Sequence, residues 1–239
     1  MRQHISRREL KQDEVRKTLA HGAEAVLTHQ RTTLYILIAA IVVAAGVFGW
    51  KAYVEHQTVK ASAAFDEAMK VFSARIRGAG DAQDPAEVTY VDEKNKYSDA
   101  AQKFDAVAAK YPHTRPGQLA IYFAALSDEK IGKNDDARRK LQGLSSGSDD
   151  FAAMARFELA QLDAKLGQSD EAVKLLKQLI DKPSVLVPKP VAMLALAELY
   201  AKSNPSEAAK LYAQIKTEFP DTPVAQQADQ ELALLPGKG

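Results

Sequence analysis

Two rhythms divide the chain. From Thr32 to Trp50 nineteen residues carry no charge, and beyond them apolar positions return in short helical blocks separated by turn-forming residues. At about 1.5 Å per residue the uncharged run makes a helix of roughly 28 Å, the hydrocarbon depth of a bilayer. Tyr35 stands near one end and Trp50 and Tyr53 near the other, where amphipathic rings favour the headgroup level, and Arg31 and Lys51 bracket the stretch. A buried helix of a soluble core is the alternative, but such helices are usually shorter. A cleaved signal peptide fits worse: it needs a short basic leader and a small-x-small cleavage site, whereas thirty-one residues precede this run and bulky Trp50 ends it. The pattern predicts a permanent transmembrane helix over 32–53. Before it, Ser6 and Glu9 have capping-box spacing, and Val15, Leu19, Ala23 and Val26 share one helical face, which predicts an amphipathic tail over 1–31. Within the run, Ala40 with Ala44 and Ala45 with Gly49 have small-xxx-small spacing that permits close contact with another helix.

After the run the sequence repeats. An acid followed by alanine occurs at Asp99-Ala100, Asp136-Ala137, Glu171-Ala172 and Glu207-Ala208, at spacings of 37, 35 and 36. A period this long and regular is that of a solenoid, whose units stack on their neighbours. Each pair is expected to open a short amphipathic helix, with apolar residues four and seven places past the alanine: Phe104 and Val107, Leu141 and Leu144, Leu176 and Leu179, Tyr212 and Ile215. The first and last of these helices end alike, in Tyr111-Pro112-His113-Thr114 and Phe219-Pro220-Asp221-Thr222, 108 residues apart. Pro183 marks the third end, and Ser145-Ser146-Gly147-Ser148 the second.

A preceding helix should pair with each one. Phe65, Ala68, Met69 and Phe72 follow the same spacing as Met193, Leu196, Ala197 and Tyr200. Two more such helices are predicted from about Gly117 to Ile131 and from Phe151 to Leu166, each closed by a glycine suited to the C′ position, Gly132 and Gly167. A polar insertion from about Arg77 to Asn95 reads as an exposed loop, and Val224 to Leu235 as a capping helix.

This arrangement resembles the tetratricopeptide repeat, over roughly residues 61 to 235. Its pattern asks for a bulky residue, a Leu, a small residue and an aromatic on helix A, and for Ala, an aromatic and another small residue on helix B before a closing proline. Sizes match better than identities: Arg156 and Asp163 take places where that pattern is bulky. The expected fold is all-α, one N-terminal transmembrane helix followed by a tetratricopeptide-like α-solenoid of about four helix pairs plus a capping helix. Its segments are 1–31, 32–53 and 54–235, with pairs at about 61–112, 116–148, 151–184 and 188–220, a cap at 222–235 and a flexible tail over 236–239.

Composition narrows the chemistry. With 46% apolar and 26% charged residues the chain is an ordinary globular protein, and the absence of cysteine rules out disulfides, thiolate catalysis and Cys-based metal sites. Seven Lys/Arg against four acids give 1–31 a net +3, leaving −2 for the rest, so the repeat region has no electrostatic footprint for nucleic acid. Within twenty residues of the run the Lys/Arg count is balanced, but long domains translocate regardless of their own charge; the short basic tail therefore favours a cytoplasmic N-terminus. The five histidines (His4, His21, His29, His56, His113) lack metal-ligand spacing, Gly143 to Ser148 lacks the Gly-Lys-Ser/Thr of a phosphate cradle, and Asp149 and Asp150 stand where acids favour a helix start. No catalytic residue, cofactor or metal is expected.

Stacked helix pairs present a concave groove lined by the A helices, suited to a partner's helix or extended peptide. Gln118, Tyr122, Arg156, Glu158 and Glu198 are the candidates to face it. A short tail, an anchor ending in Gly49-Trp50 before Lys51-Ala52-Tyr53, the helix from Ala61 to Ile76 and the Phe219-Pro220-Asp221-Thr222-Pro223 ending together resemble the YfgM-like family of bacterial inner-membrane proteins. That resemblance implies a non-enzymatic scaffold with its repeats in the periplasm, associated with the SecYEG translocon, a PpiD-like folding factor and exported polypeptides. A scaffold of another envelope machine (outer-membrane assembly, cell division or secretion), an enzyme or solute-binding domain, and a docking receptor facing the cytosol are the rivals.

Overall fold

Helix α1 runs Gln30–Phe72, an uninterrupted stretch without proline. The computed structural model describes residues 30–78 and 87–235, and the chain divides into two units, 1–56 and 57–239. The amphipathic tail expected before Gln30 and the tail expected over 236–239 lie outside the described residues. In the first unit every described side chain from Leu34 to Tyr53 is exposed, Ile36, Val42, Phe48 and Trp50 among them. Apolar surface left in water costs about 25 cal/mol per Å². The helix is long and apolar enough to cross a membrane.

The second unit begins with 57–72 of α1 and continues through β1 (Arg75–Ile76), β2 (Thr89–Tyr90), α2 (Glu93–Lys110), α3 (Arg115–Lys130), α4 (Asn134–Ser145), α5 (Asp150–Lys165), α6 (Ser169–Asp181), α7 (Lys189–Ser203), α8 (Pro205–Glu218) and α9 (Pro223–Leu234). From α2 onward each helix packs on the next, and α3 also meets α5, α5 meets α7 and α7 meets α9. This is the neighbour-on-neighbour order of a helical solenoid.

The repeat alanines explain the close packing. Ala100, Ala137, Ala172 and Ala208 are each wholly buried, where a larger side chain would hold the paired helices apart. One and two turns further on, Phe104 and Val107, Leu141, Leu176 and Leu179, and Tyr212 and Ile215 fill the core, while Leu144 is half-buried. In three of the four B helices, α4, α6 and α8, the acid of the pair stands in the first turn and complements the helix dipole. The first departs from expectation: α2 starts at Glu93, well before Asp99, because Asp92 caps it by accepting 2.7 Å from Asn95 N.

The insertion also differs from an exposed loop. β1 and β2 pair in parallel, Arg75 opposite Thr89 and Ile76 opposite Tyr90, and Arg77 N donates 2.8 Å to Tyr90 O. The driving force is local: Tyr90 packs on the buried cluster of α1, α2 and α3, and its hydroxyl donates to Asp99. Residues 79–86 lie outside the described residues.

The A helices α3 and α5 stop at glycine. Gly132 and Gly167 both adopt φ 78, open to residues without Cβ, and in each case the following amide reaches back 2.8 Å, Lys133 N to Asp128 O and Gln168 N to Asp163 O. Polar links tie successive helices. Lys140 on α4 lies 2.7 Å from both Asp105 on α2 and Asp128 on α3; burial pulls its ammonium down, but the two carboxylates more than offset this and raise it.

Asp163, standing where a bulky residue was expected, is 2% exposed, with Oδ1 2.9 Å from Arg138 Nε. Burial holds its carboxyl above the ordinary aspartate range, against the pull of Arg138. Replacing Arg138 by Met leaves that carboxyl alone, and stability is expected to fall by about 2 kcal/mol at neutral pH; the loss is below the roughly 3–5 kcal/mol of fully buried pairs because water reaches part of Arg138. An acid raised in the fold supports folding below its unfolded pKa and withdraws that support as pH climbs through the folded one. Removing Arg138 raises it further, so the deficit grows from about pH 4 to 7. Melting curves of the full chain in detergent at both pH values test this, and equal deficits would refute it.

Candidate protein-binding groove

The face where α3, α5, α7 and α9 approach one another carries polar groups spaced by one repeat. Tyr122 Oη on α3 stands 3.4 Å from Glu158 Oε2 on α5, and Lys165 Nζ on α5 stands 2.5 Å from Glu129 Oε1 on α3; in both links the partners are 36 residues apart. Further along, Gln227 on α9 donates 3.2 Å to Glu198 on α7.

Partial burial perturbs these groups in one direction. The Glu158 carboxyl is raised by desolvation and by nearby Glu129, with Lys165 and Tyr122 opposing. Burial, then Glu158, raises the Tyr122 hydroxyl, and Glu198 is raised by burial and by Glu231. Between α5, α7 and α9 lies a cleft of about 710 Å³, lined by Phe157, Gln161, Leu194, Glu198, Tyr212 and Glu231 among others. Apolar side chains line it together with Lys165, Lys202, Glu198 and Glu231, so it offers both apolar contact and charge. Among the described residues no group of three or more His, Cys, Asp or Glu is placed to hold a metal ion.

A family model described as a tetratricopeptide repeat-like domain matches residues 28–183, well over half of the chain, and one described as a tetratricopeptide repeat matches 191–222. The chain belongs to the tetratricopeptide repeat-like family. The second match falls on α7 and α8, so the last helix pair is itself a tetratricopeptide repeat. Such repeats generally act as protein-interaction scaffolds. No curated protein and no solved structure matches the chain.

Within the tetratricopeptide array the five candidate residues fall on three A helices. Gln118 and Tyr122 are one turn apart on α3 and both half-buried. Tyr122 and Glu158 come together across α3 and α5, while Glu198 stands apart from them on the cleft. Arg156 has a different engagement: its guanidinium donates to Ser145 O at 2.8 Å and Gly147 O at 2.7 Å, fastening the turn after α4. Glu129, Lys165, Tyr212 and Glu231 were not among the sequence candidates. Glu129 and Lys165 carried a signal, since their separation equals the period; Tyr212 read as core, and Glu231 lies in the helix expected only to cap.

Proposed function

We propose that this chain is a non-enzymatic, membrane-anchored scaffold of the bacterial inner membrane, ancillary to the SecYEG translocon, that holds exported polypeptides alongside a PpiD-like folding factor. The A-helix face carries the reading: Glu198 lines the cleft, Tyr122 and Glu158 meet across α3 and α5, Gln118 stands one turn from Tyr122, and Arg156 fastens the turn after α4. A partner's helix laid along that face meets apolar walls and a few orienting polar groups. The apolar stretch of α1 supplies the anchor, and the seven Lys/Arg of 1–31 favour a cytoplasmic N-terminus with the repeats in the periplasm. Anchoring confines the groove to the membrane plane, which raises its effective concentration beside a membrane partner or an emerging chain. The translocon as partner rests on the YfgM-like anchor and repeat ending.

Purification of the intact protein in mild detergent, followed by mass spectrometry, is expected to recover translocon subunits and a folding factor. Enrichment of a different envelope complex instead would reassign the scaffold to that machine. Protease added to spheroplasts should digest the repeats and spare the N-terminal tail; protected repeats would place the groove in the cytosol.

A further inference from the structure

The cleft between α5, α7 and α9 holds two carboxylates that no cation engages among the described residues. Glu198 and Glu231 both line it, and neither has an ion-pair partner among the described residues; Glu198 accepts only the bond from Gln227. Elsewhere in the repeat domain Asp105, Asp128, Glu129, Asp163 and Glu218 each face a Lys or Arg within 3 Å. Two lysines line the same cleft, yet Lys165 is engaged by Glu129, and Lys202, one turn beyond Glu198 on α7, makes no ion pair among the described residues. Tyr212, which also lines the cleft, is wholly buried, and its hydroxyl has no hydrogen-bond partner among the described residues. A buried hydroxyl without a partner is uncommon in a folded protein, and a polar group entering the cleft would give it one. Its proximity to both acids is felt in its titration, pushed up to about 12 by burial, then Glu198 and Glu231.

We propose that this cleft receives a lysine or arginine side chain from an amphipathic segment of a partner polypeptide. The charged group meets Glu198 and Glu231, the Tyr212 hydroxyl accepts from it, and the methylene stem lies on Phe157, Leu194 and Leu199. A bare divalent cation fits less well, because it would want about six oxygen ligands and has no use for apolar walls. The inference rests on the scaffold reading and names the chemistry of the scaffold's partner.

The test uses the full chain in phosphatidylcholine nanodiscs, with empty nanodiscs subtracted, and a fluorescein-labelled peptide alternating leucine, alanine and lysine. Its counterpart with glutamine for lysine is expected to bind about tenfold more weakly. Glu198→Gln with Glu231→Gln should make the two peptides equal while leaving helicity unchanged, and Tyr212→Phe should weaken the lysine peptide alone by a few-fold. Equal binding of both peptides to the parent, or undiminished binding of the lysine peptide to the double variant, overturns the proposal. Co-purification separates this result from the broader reading. If the parent recovers its partners from membranes yet ignores the lysine peptide, the scaffold stands and the cation site falls; if it recovers none, both fall.

Discussion

Replacing Phe104 by alanine is expected to destabilise the repeat domain by about 4 kcal/mol, within the range for deleting a fully buried phenyl ring. Phe104 on α2 is wholly buried, and its ring centroid lies 5.5 Å from Phe65, 6.1 Å from Phe72 and 5.4 Å from Phe123. Phe65 and Phe72 belong to α1 and Phe123 to α3, so one ring joins three helices. Phe65 and Phe72 also meet Phe123 directly, at 5.6 and 5.3 Å, which leaves those rings facing a hole when Phe104 is removed. Collapse into that hole is limited because the buried cluster around it includes Ala61, Ala68, Ala100 and Ala120, which have no longer rotamers to offer. Leucine at the same place keeps most of the volume and should cost about 1.5 kcal/mol. Thermal unfolding of the full chain in detergent reads both changes, and proteolysis between 57 and 72 should accelerate in the alanine variant before the last repeat is attacked. Alanine and leucine variants melting together with the parent would mean that the cluster does not hold the first helix pair.

Phe104 was legible because it stands four residues past a repeat alanine, and the same rule found Leu141, Leu176 and Tyr212. Periodicity reports which face of a helix is buried, and in a solenoid each unit faces nearly the same environment, so a linear pattern carries most of the architecture. The C′ glycines were legible for a similar reason: Gly132 and Gly167 end the A helices at φ 78, a conformation few other residues adopt. What escaped depends on pairing rather than pattern. Asp163 reads as a polar error in an apolar series until Arg138, on the neighbouring helix, is placed 2.9 Å away. Ile76 was expected to end the helix from Ala61, which instead stops at Phe72, and Tyr90 sits in a polar insertion too irregular to show a strand period; only their half-buried packing makes the two-residue ladder. The cleft was hidden for a third reason: Tyr212 satisfies the core pattern through its ring, and no linear rule says where the hydroxyl at its far end will lie or that Glu198 and Glu231 will flank it.

Gly117 shows how a helix start can hide a steric requirement. It opens α3 at a corner where Thr114 Oγ1 donates 2.9 Å to Tyr111 O and accepts 3.1 Å from Gly117 N. A Cβ on Gly117 would stand 1.9 Å from Tyr111 O and 2.8 Å from its carbonyl carbon, a collision with backbone that no side-chain rotation relieves. Alanine there is expected to cost about 3 kcal/mol, the upper end for forcing an extra carbon into a packed site. The sister corner supplies the control. Thr222 Oγ1 makes the same pair of contacts, 2.8 Å to Phe219 O and 3.1 Å from Ala225 N, yet an alanine occupies the position of Gly117. The two corners part at the residue after proline: Asp221 adopts φ 62, whereas His113 keeps a negative φ. That rotation accompanies the room that Ala225 occupies at the last corner and that Gly117 does without at the first. Gly117→Ala should therefore lower the melting temperature strongly while Ala225→Gly costs about 1 kcal/mol, the ordinary glycine penalty in a helix. Equal effects at the two corners would show that the carbonyl of Tyr111 yields freely and that the glycine serves propensity rather than space.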